Sequence, residues 1–337
     1  MLKQFLHLFM IGLCINVVYA KELDNFYKGK TIKLIVGYAP GGTYDVTARF
    51  LAPYLERKTG ANVIVINTPG GGGITALNKF ASTQSNETAL MLVNTQGSIL
   101  SEILDAPNVR YTFQDFPLVS QISFDSPILL INKELPYKTL QEFKDAKTRI
   151  KFAGGGKIDS IADYAAILSE ILGLDSHIII GYKGSKEAAL AVMRGECDAL
   201  MVSSRSAQAY VSNNLLLPIA SFGKTNNDLF KDLPMLQDAF ELDVEMRKMF
   251  DFRLNIALAG NTLIAQKNLP TDHVAYFQTI FKTILDDQNV IEAAKHKNIL
   301  LEYHSLEQTR RMIQKIYTQE DSLLERIRHI ILEKYYK

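Results

Sequence analysis

The chain has 337 residues, 22% of them charged and 47% hydrophobic, a composition that excludes a disordered or fibrous polypeptide. Its 37 Lys and Arg stand against 36 Asp and Glu, for a formal charge of +1. Such balance gives no reason to expect nucleic acid or an anionic membrane surface as a partner.

The first twenty residues read as an export signal. Lys3 is the sole charge, an apolar run extends from Phe5 to Val18, and Val18-Tyr19-Ala20 has the spacing that a signal peptidase reads. The run falls short of the roughly 18–20 apolar residues of a spanning helix, so cleavage after Ala20 is expected in place of a membrane anchor. Cys14 follows Leu13 and not a small residue, which argues against a lipoprotein signal. Loss of this segment leaves Cys197 alone, so no internal disulfide is expected. With Gly195, Glu196 and Asp198 around it and no nearby His, Cys197 reads as a core thiol and not a nucleophile.

Strands and helices then alternate, the pattern of an α/β protein with largely parallel sheets. The first strand, Thr31–Val36, runs into Gly37-Tyr38-Ala39-Pro40-Gly41-Gly42, and Thr43 and Asp45 are candidate N-caps for the helix that follows. Paired glycines leave backbone N–H groups uncovered, and a helix start adds donors and a positive dipole end, so the loop can seat an anion without an arginine. The plainer reading is a strand-to-helix turn; Asp45 serves either as a cap or at a ligand, and the two roles are compatible. Pro53 should kink or shorten this helix. A second loop of the same kind, Thr68-Pro69-Gly70-Gly71-Gly72-Gly73, follows the strand Val63–Ile66.

Further strands are expected at Ala89–Val93, Ile128–Ile131, Ile150–Ala153, Ile178–Gly181, Ala199–Val202 and Leu216–Ala220. Thr139-Leu140-Gln141-Glu142 is a capping box, and Ser185 opens a helix that Gly195 closes. Two more glycine loops follow strands: Gly154-Gly155-Gly156-Lys157-Ile158-Asp159-Ser160 and Gly181-Tyr182-Lys183-Gly184-Ser185. Ligands of open α/β sheets bind at the carboxyl ends of strands, where all four loops are expected. The tail reads as helical without strands: Val274, Phe277, Phe281 and Ile284 share one face, and Ser305 with Gln308 caps one long helix carrying Ile313, Ile316, Leu323, Ile327 and Ile330.

The order V-G-Y-A-P-G-G-T-Y-D, N-T-P-G-G-G-G, then G-Y-K-G-S-K-E-A-A-L-A-V-M-R-G-E-C-D-A resembles the solute receptors of tripartite tricarboxylate transporters, the Bug family. The segment A-G-N-T-L-I-A-Q-K-N-L-P-T-D-H-V is similar as well. The resemblance implies a type II periplasmic-binding-protein fold: two α/β lobes, a central ligand cleft and two hinge crossings, near Leu118–Phe124 and Ile219–Lys224. Lobe 1 would comprise residues 21–123 and 222–337, and lobe 2 residues 124–221. It also implies a periplasmic receptor that delivers a small carboxylate to integral-membrane permease subunits, acting as a monomer, without cofactor, metal or catalytic residues. Tyr38, Gly41, Gly42, Thr43, Asp45, Gly71, Gly72, Gly73, Tyr182, Lys183 and Gly184 match the family's ligand loops. Gly155, Gly156, Ser160 and Ser203 stand at the remaining pocket positions.

The chain departs from the family in its third loop, which has Lys157, Asp159, Ser160 and Asp163 but no His, and at Ser203-Ser204-Arg205 after the Cys197-Asp198 strand. Tyr38 replaces a commoner Phe and adds a hydroxyl to an aromatic wall. Lys157 and Lys183 have the alternative of ordinary solvated lysines, favoured for Lys157, and Arg205 that of pairing with a nearby acid. Asn86-Glu87-Thr88 matches a glycosylation sequon by chance. A sensor of the same fold that signals without transport is one alternative function, and an exported hydrolase another. No G-x-S-x-G, H-E-x-x-H or P-loop spacing occurs, and His177, His273, His296, His304 and His329 are scattered.

Overall fold

In a computed structural model, residues 22–23, 25–83, 87–225 and 227–336 are described. The export signal expected at 1–20 and Asn86 of the sequon lie outside the described residues. Among the described residues, ten strands form two five-stranded sheets. The first contains β1 (Thr31–Val36), β2 (Asn62–Asn67), β3 (Thr88–Asn94), β4 (Leu118–Ser123) and β10 (Asn261–Ala265), in the order β2-β1-β3-β10-β4. The second contains β5 (Pro127–Ile131), β6 (Ile150–Gly154), β7 (Ser176–Ile180), β8 (Ala199–Ser203) and β9 (Leu217–Ser221), in the order β7-β6-β8-β5-β9.

Both sheets follow one plan. β1 pairs in parallel with β2 and β3, and β10 runs antiparallel between β3 and β4. Likewise β6 pairs in parallel with β7 and β8, and β5 runs antiparallel between β8 and β9. Central strands read as unbroken apolar runs because helices cover both faces: Pro-Ile-Leu-Leu-Ile in β5 is buried throughout. The type II periplasmic-binding-protein class expected from the sequence is the class observed.

Several local expectations change. The tail is not free of strands, since Asn261–Ala265 enters the first sheet; the segment Leu118–Ser123, within the expected crossing at Leu118–Phe124, is β4, buried at all six residues. Both take their places through pairing with sheet neighbours distant in sequence. The helix Thr43–Thr59 runs through Pro53 without interruption. Pro53 is exposed while Phe50, Leu51 and Leu55 are buried against the sheet, so packing of the apolar face offsets the missing hydrogen bond. The long C-terminal helix is two, Leu306–Tyr317 and Asp321–His329. As expected, Val274, Phe277, Phe281 and Ile284 form the buried face of the helix Thr271–Asp286, and Thr139 with Glu142 makes a capping box.

The chain divides into two compact units. The first holds the described residues up to Asn94, Pro107–Ser123 and Asn261–Glu307; the second holds the described residues among 95–106, 124–260 and 308–337. This differs from the expected boundaries at 95–106, 222–260 and 308–337, all of which group with the second unit. Contacts between residues far apart in sequence hold these segments to the second unit. Asp163 Oδ1, in the helix Ser160–Leu172, accepts from Arg253 Nε at 3.1 Å and Nη2 at 2.7 Å, in the helix Val244–Ala259, with both side chains almost wholly buried. The Arg253 guanidinium also lies 3.4 Å from the centre of the Tyr164 ring. Glu170 gathers Arg326, Lys334 and the Tyr335 hydroxyl, and the Ile178 N–H donates to the Tyr335 carbonyl, which ties the C-terminus to edge strand β7. Arg328 and Tyr317 reach Ile103 and Glu102 of the 95–106 segment.

The buried pair yields a stability prediction. Asp163→Asn leaves the Arg253 charge uncompensated and should cost about 3–5 kcal/mol in urea unfolding. Asp163→Leu combined with Arg253→Met should recover most of that loss. Equal loss in the single and double variants would show that the charge is not the cause.

Candidate ligand-binding site

In the first unit, the sequence-expected residues Tyr38, Gly41, Gly42, Thr43, Asp45 and Gly71 to Gly73 form one loop cluster at the carboxyl ends of β1 and β2. Gly37 allows the two loops to pass: a Cβ on it would lie 3.0 Å from the Gly73 Cα and 3.3 Å from the Ala76 Cβ. Gly70, Gly71, Gly72 and Gly73 have φ of 146°, 55°, 64° and 101°, a left-handed succession that only glycine adopts without strain. Their turn leads into the helix Ile74–Ser82. The Gly73 N–H donates to the Gly70 carbonyl at 3.0 Å. Gly71 and Gly72, both exposed, lead the turn, where the first N–H groups of a helical segment have no intrahelical partner.

Thr43 and Asp45 were the expected caps of the first helix; the N-cap is Gly42, and it makes no side-chain cap. Asp45 is occupied elsewhere. Its Oδ2 accepts from the Gly41 N–H at 2.8 Å and its Oδ1 from Arg49 Nε at 2.9 Å. The N–H groups of Thr43, Tyr44 and Asp45 therefore open the helix without a side-chain acceptor, and Gly41, Gly42 and Thr43 are exposed. This is the donor-rich, positive end of a 17-residue helix. Burial works to raise the Asp45 carboxyl, but hydrogen bonds from Arg49, the Gly41 amide and Asn67 outweigh it and hold the group below the usual carboxylate range.

A polar network braces the cluster. Arg49 Nη2 donates to Asn67 Oδ1 at 3.0 Å, and Asn67 Nδ2 to the Tyr38 carbonyl at 3.0 Å. The Tyr38 hydroxyl donates to the Gly72 carbonyl at 2.8 Å, joining the two loops. Its ring stacks on Tyr44 with centroids 4.3 Å apart, and the Tyr44 hydroxyl donates to Asn261 Oδ1 at 2.7 Å. Asn261 Nδ2 reaches Ser123 Oγ at 3.0 Å, across the β10–β4 pair. Burial raises both phenols above the ordinary tyrosine value, so they act as neutral donors. Arg49, Tyr44, Asn67, Asn261 and Ser123 were not among the expected site residues. Asp45 and Arg49 at i and i+4 on a helix could have been paired from the sequence; Asn261 could not, because its strand was missed. A cavity of about 150 Å³ elsewhere in this unit, lined by Lys33, Ile35, Lys79, Phe80 and Gln266, contains none of the expected site residues.

In the second unit, Gly155, Gly156, Ser160, Tyr182, Lys183 and Gly184 lie on two adjacent loops. The Gly181 and Tyr182 N–H groups donate to the carbonyls of Gly155 and Gly154 at 3.0 and 3.3 Å. The third loop is closed on itself: Asp159 caps the helix Ser160–Leu172 by accepting from the Ile161 N–H at 2.8 Å. Lys157 Nζ donates to the Leu332 carbonyl at 2.6 Å, so this lysine ties the loop to the C-terminal turn. The Tyr182 hydroxyl contacts the sulfur of Cys197 at 3.5 Å, and Cys197 is fully buried, with burial raising its thiol. The Lys183 amide is taken by Glu187 at 2.6 Å and the Gly184 amide by the Tyr182 carbonyl at 2.8 Å. Gly184 is the N-cap of the helix Ser185–Met193 and makes no side-chain cap, so the open donors here are those of Ser185 and Lys186. Ser203 caps the helix Ser204–Val211 through the Ser206 N–H at 3.2 Å.

Two predictions follow from the first loop. Gly41 has φ 81°, so Gly41→Val should cost about 1–3 kcal/mol of stability by strain. Gly42 sits at φ −77°, and a Cβ there would meet only the Ala39 carbonyl at 3.4 Å, so Gly42→Ala should stay within about 0.5 kcal/mol. The sequence reading treated the two glycines alike; thermal unfolding should separate them. Asp45 has a native carboxyl below its unfolded value, so its stabilisation is present above about pH 4 and fades as pH falls through the native titration. The stability gap between wild type and Asp45→Asn should be constant from pH 7 to about 5 and close in stronger acid.

Comparison with known proteins places the chain. The sequence profile of the family described as "Tripartite tricarboxylate transporter family receptor" matches residues 47–328. Protein BugT of Bordetella pertussis (strain Tohama I) is 24% identical over 221 residues, which cover 63% of this chain and 66% of BugT, just under two thirds of that relative. A TctC solute binding protein from Polaromonas, solved without ligand, superposes with a TM-score of 0.70 at 21% identity, covering 90% of this chain and 99% of that one. MatC of Rhodopseudomonas palustris, solved with bound malate, superposes with a TM-score of 0.62 at 18% identity, covering 90% of this chain and 99% of that one. These structures share the fold, and the family match over most of the length shows that the chain belongs to the tripartite tricarboxylate transporter family of receptors.

Proposed function

We propose that this family member is a periplasmic receptor that captures a small carboxylate and delivers it to the membrane permease of a tripartite transporter. The observation that carries the reading is the uncapped start of the helix Thr43–Thr59. Its first amides are presented beside the Gly71 and Gly72 amides on glycine loops braced from below. Charge-assisted bonds from main-chain donors contribute about 1.5–3 kcal/mol each, so a few of them hold an acid without an arginine clamp. In the second unit, the helix Ser185–Met193 likewise starts on Gly184 without a side-chain cap. Of the residues expected from the sequence, Thr43, Gly71 and Gly72 supply donors on this reading. Tyr38, Gly41, Gly42, Asp45, Gly73 and Gly184 shape the loops, and Gly155, Gly156, Ser160, Tyr182, Lys183 and Ser203 frame those of the second unit.

The malate bound by MatC supports a carboxylate as the ligand class. Export is expected through cleavage after Ala20, with Lys21 as the first mature residue; among the described residues, no helix is long and apolar enough to cross a membrane. N-terminal sequencing of the protein from its host tests this, and intact Met1 in a membrane fraction would overturn it.

A thermal-shift screen of mono-, di- and tricarboxylates against nucleotides tests the ligand class. An acid at 100 times its Kd should stabilise the protein by about 2.7 kcal/mol, while nucleotides should leave it unchanged. With the acid so identified, Gly41→Val should weaken binding in calorimetry far more than Lys157→Ala, whose side chain is engaged with Leu332. Loss of binding in Lys157→Ala with normal binding in Gly41→Val would mean that a side-chain cation holds the anion.

A further inference from the structure

An acid sits inside the loop that is to receive an acid. Asp45 is the third residue of the helix Thr43–Thr59, and its carboxylate accepts from Gly41, one residue ahead of the Gly42 N-cap. A helix start carries the equivalent of about +0.5 of a charge. One full negative charge at that position reverses the sign, so the open amides alone would repel an incoming carboxylate. The Asp45 side chain is only 4% exposed, and water and salt therefore screen its charge poorly.

We propose that Arg49 is the positioning residue that keeps this loop receptive to anions, by cancelling the Asp45 charge while holding Asp45 on the Gly41 amide. The inference rests on the carboxylate-receptor reading. Arg49 lies one turn after Asp45 and is bonded to it through Nε at 2.9 Å, while its Nη2 reaches Asn67 at 3.0 Å. With the pair neutral, the helix start regains its positive sign. The same side chain orders both loops: Asp45 holds Gly41 in its left-handed conformation, and Asn67 holds the Tyr38 carbonyl. Arg49 remains 53% exposed, which leaves it hydrated and lowers the cost of keeping its charge beside a buried acid. Asp45 thus supplies a strong acceptor for a loop amide, and Arg49 removes the electrostatic penalty that acceptor would place on binding.

The test is a charge cycle read by calorimetry with malate and by amide shifts of Thr43 and Tyr44 on titration with acetate. Arg49→Gln should weaken malate binding by about tenfold or more, the scale of one uncompensated like charge at short range. Arg49→Lys should retain most of the affinity. Asp45→Asn combined with Arg49→Gln removes both charges and should return to within about threefold of wild type. A double variant as weak as Arg49→Gln, or an Arg49→Lys variant equally weak, overturns the proposal, because Arg49 would then act through its shape or a direct ligand contact. If wild type responds to neither acid, the receptor reading fails for these ligands, and the titration of Asp45 followed by NMR decides the inference separately. An upward shift of that titration in Arg49→Gln upholds the electrostatic coupling, and an unchanged titration refutes it.

Discussion

A loop that is to offer its backbone N–H groups to a ligand has to leave them unpaired in the folded protein, and unpaired donors do not fix a conformation. The first loop meets this constraint by bonding one amide and sparing the rest. Asp45 accepts the Gly41 N–H, Arg49 holds Asp45, and the helix behind starts on a glycine with no side chain to cap it. Neighbouring elements depend on that arrangement. The Gly70–Gly73 run supplies the Gly72 carbonyl for Tyr38, Asn67 fastens the Tyr38 carbonyl, and Gly37 leaves room for both strands of chain. Rigidity comes from side chains one layer below the amides, so the amides themselves stay open.

The two sheets share a strand plan, yet their loops are finished differently. In the first unit the helix start is bare. In the second, the helix after β6 is capped by Asp159, whose carboxyl is raised by burial despite the backbone N–H groups that bond it. Lys157 is turned toward the C-terminal turn, and Tyr182 toward Cys197. Only the helix at Ser185 starts without a side-chain cap among the loops matched to the family there. The same topology thus carries one donor-rich loop cluster and one that is largely satisfied internally, a difference set by a few Asp, Lys and Tyr side chains. Fold alone would not have distinguished them.

Much of the second unit's integrity comes from segments distant in sequence. Arg253 meets Asp163 in a dry environment, and Glu170 collects Arg326, Lys334 and Tyr335 from the C-terminal segment. A buried pair of this kind is costly to break more than it is profitable to form. The pair joins the helices Ser160–Leu172 and Val244–Ala259, while Glu170 joins the first of these to the segment at 308–337.

The sequence by itself determined the alternation of strands and helices, the four glycine loops at strand ends and the family, because apolar periodicity and glycine runs are local signals. Eight strands, the Thr139 capping box and the buried face of Val274, Phe277, Phe281 and Ile284 were legible for that reason. Strands β4 and β10 were not among them; β10 lies between β3 and β4, pairings with partners distant in sequence. Tertiary structure alone decided which amides stay open. Thr43, Asp45 and Ser203 have equal standing as caps in a sequence. Ser203 caps a helix while Asp45 turns to Gly41 and Arg49 and leaves its own helix bare. A side chain's hydrogen-bond partner is chosen among groups brought close in space, and local spacing offers the candidates without choosing among them.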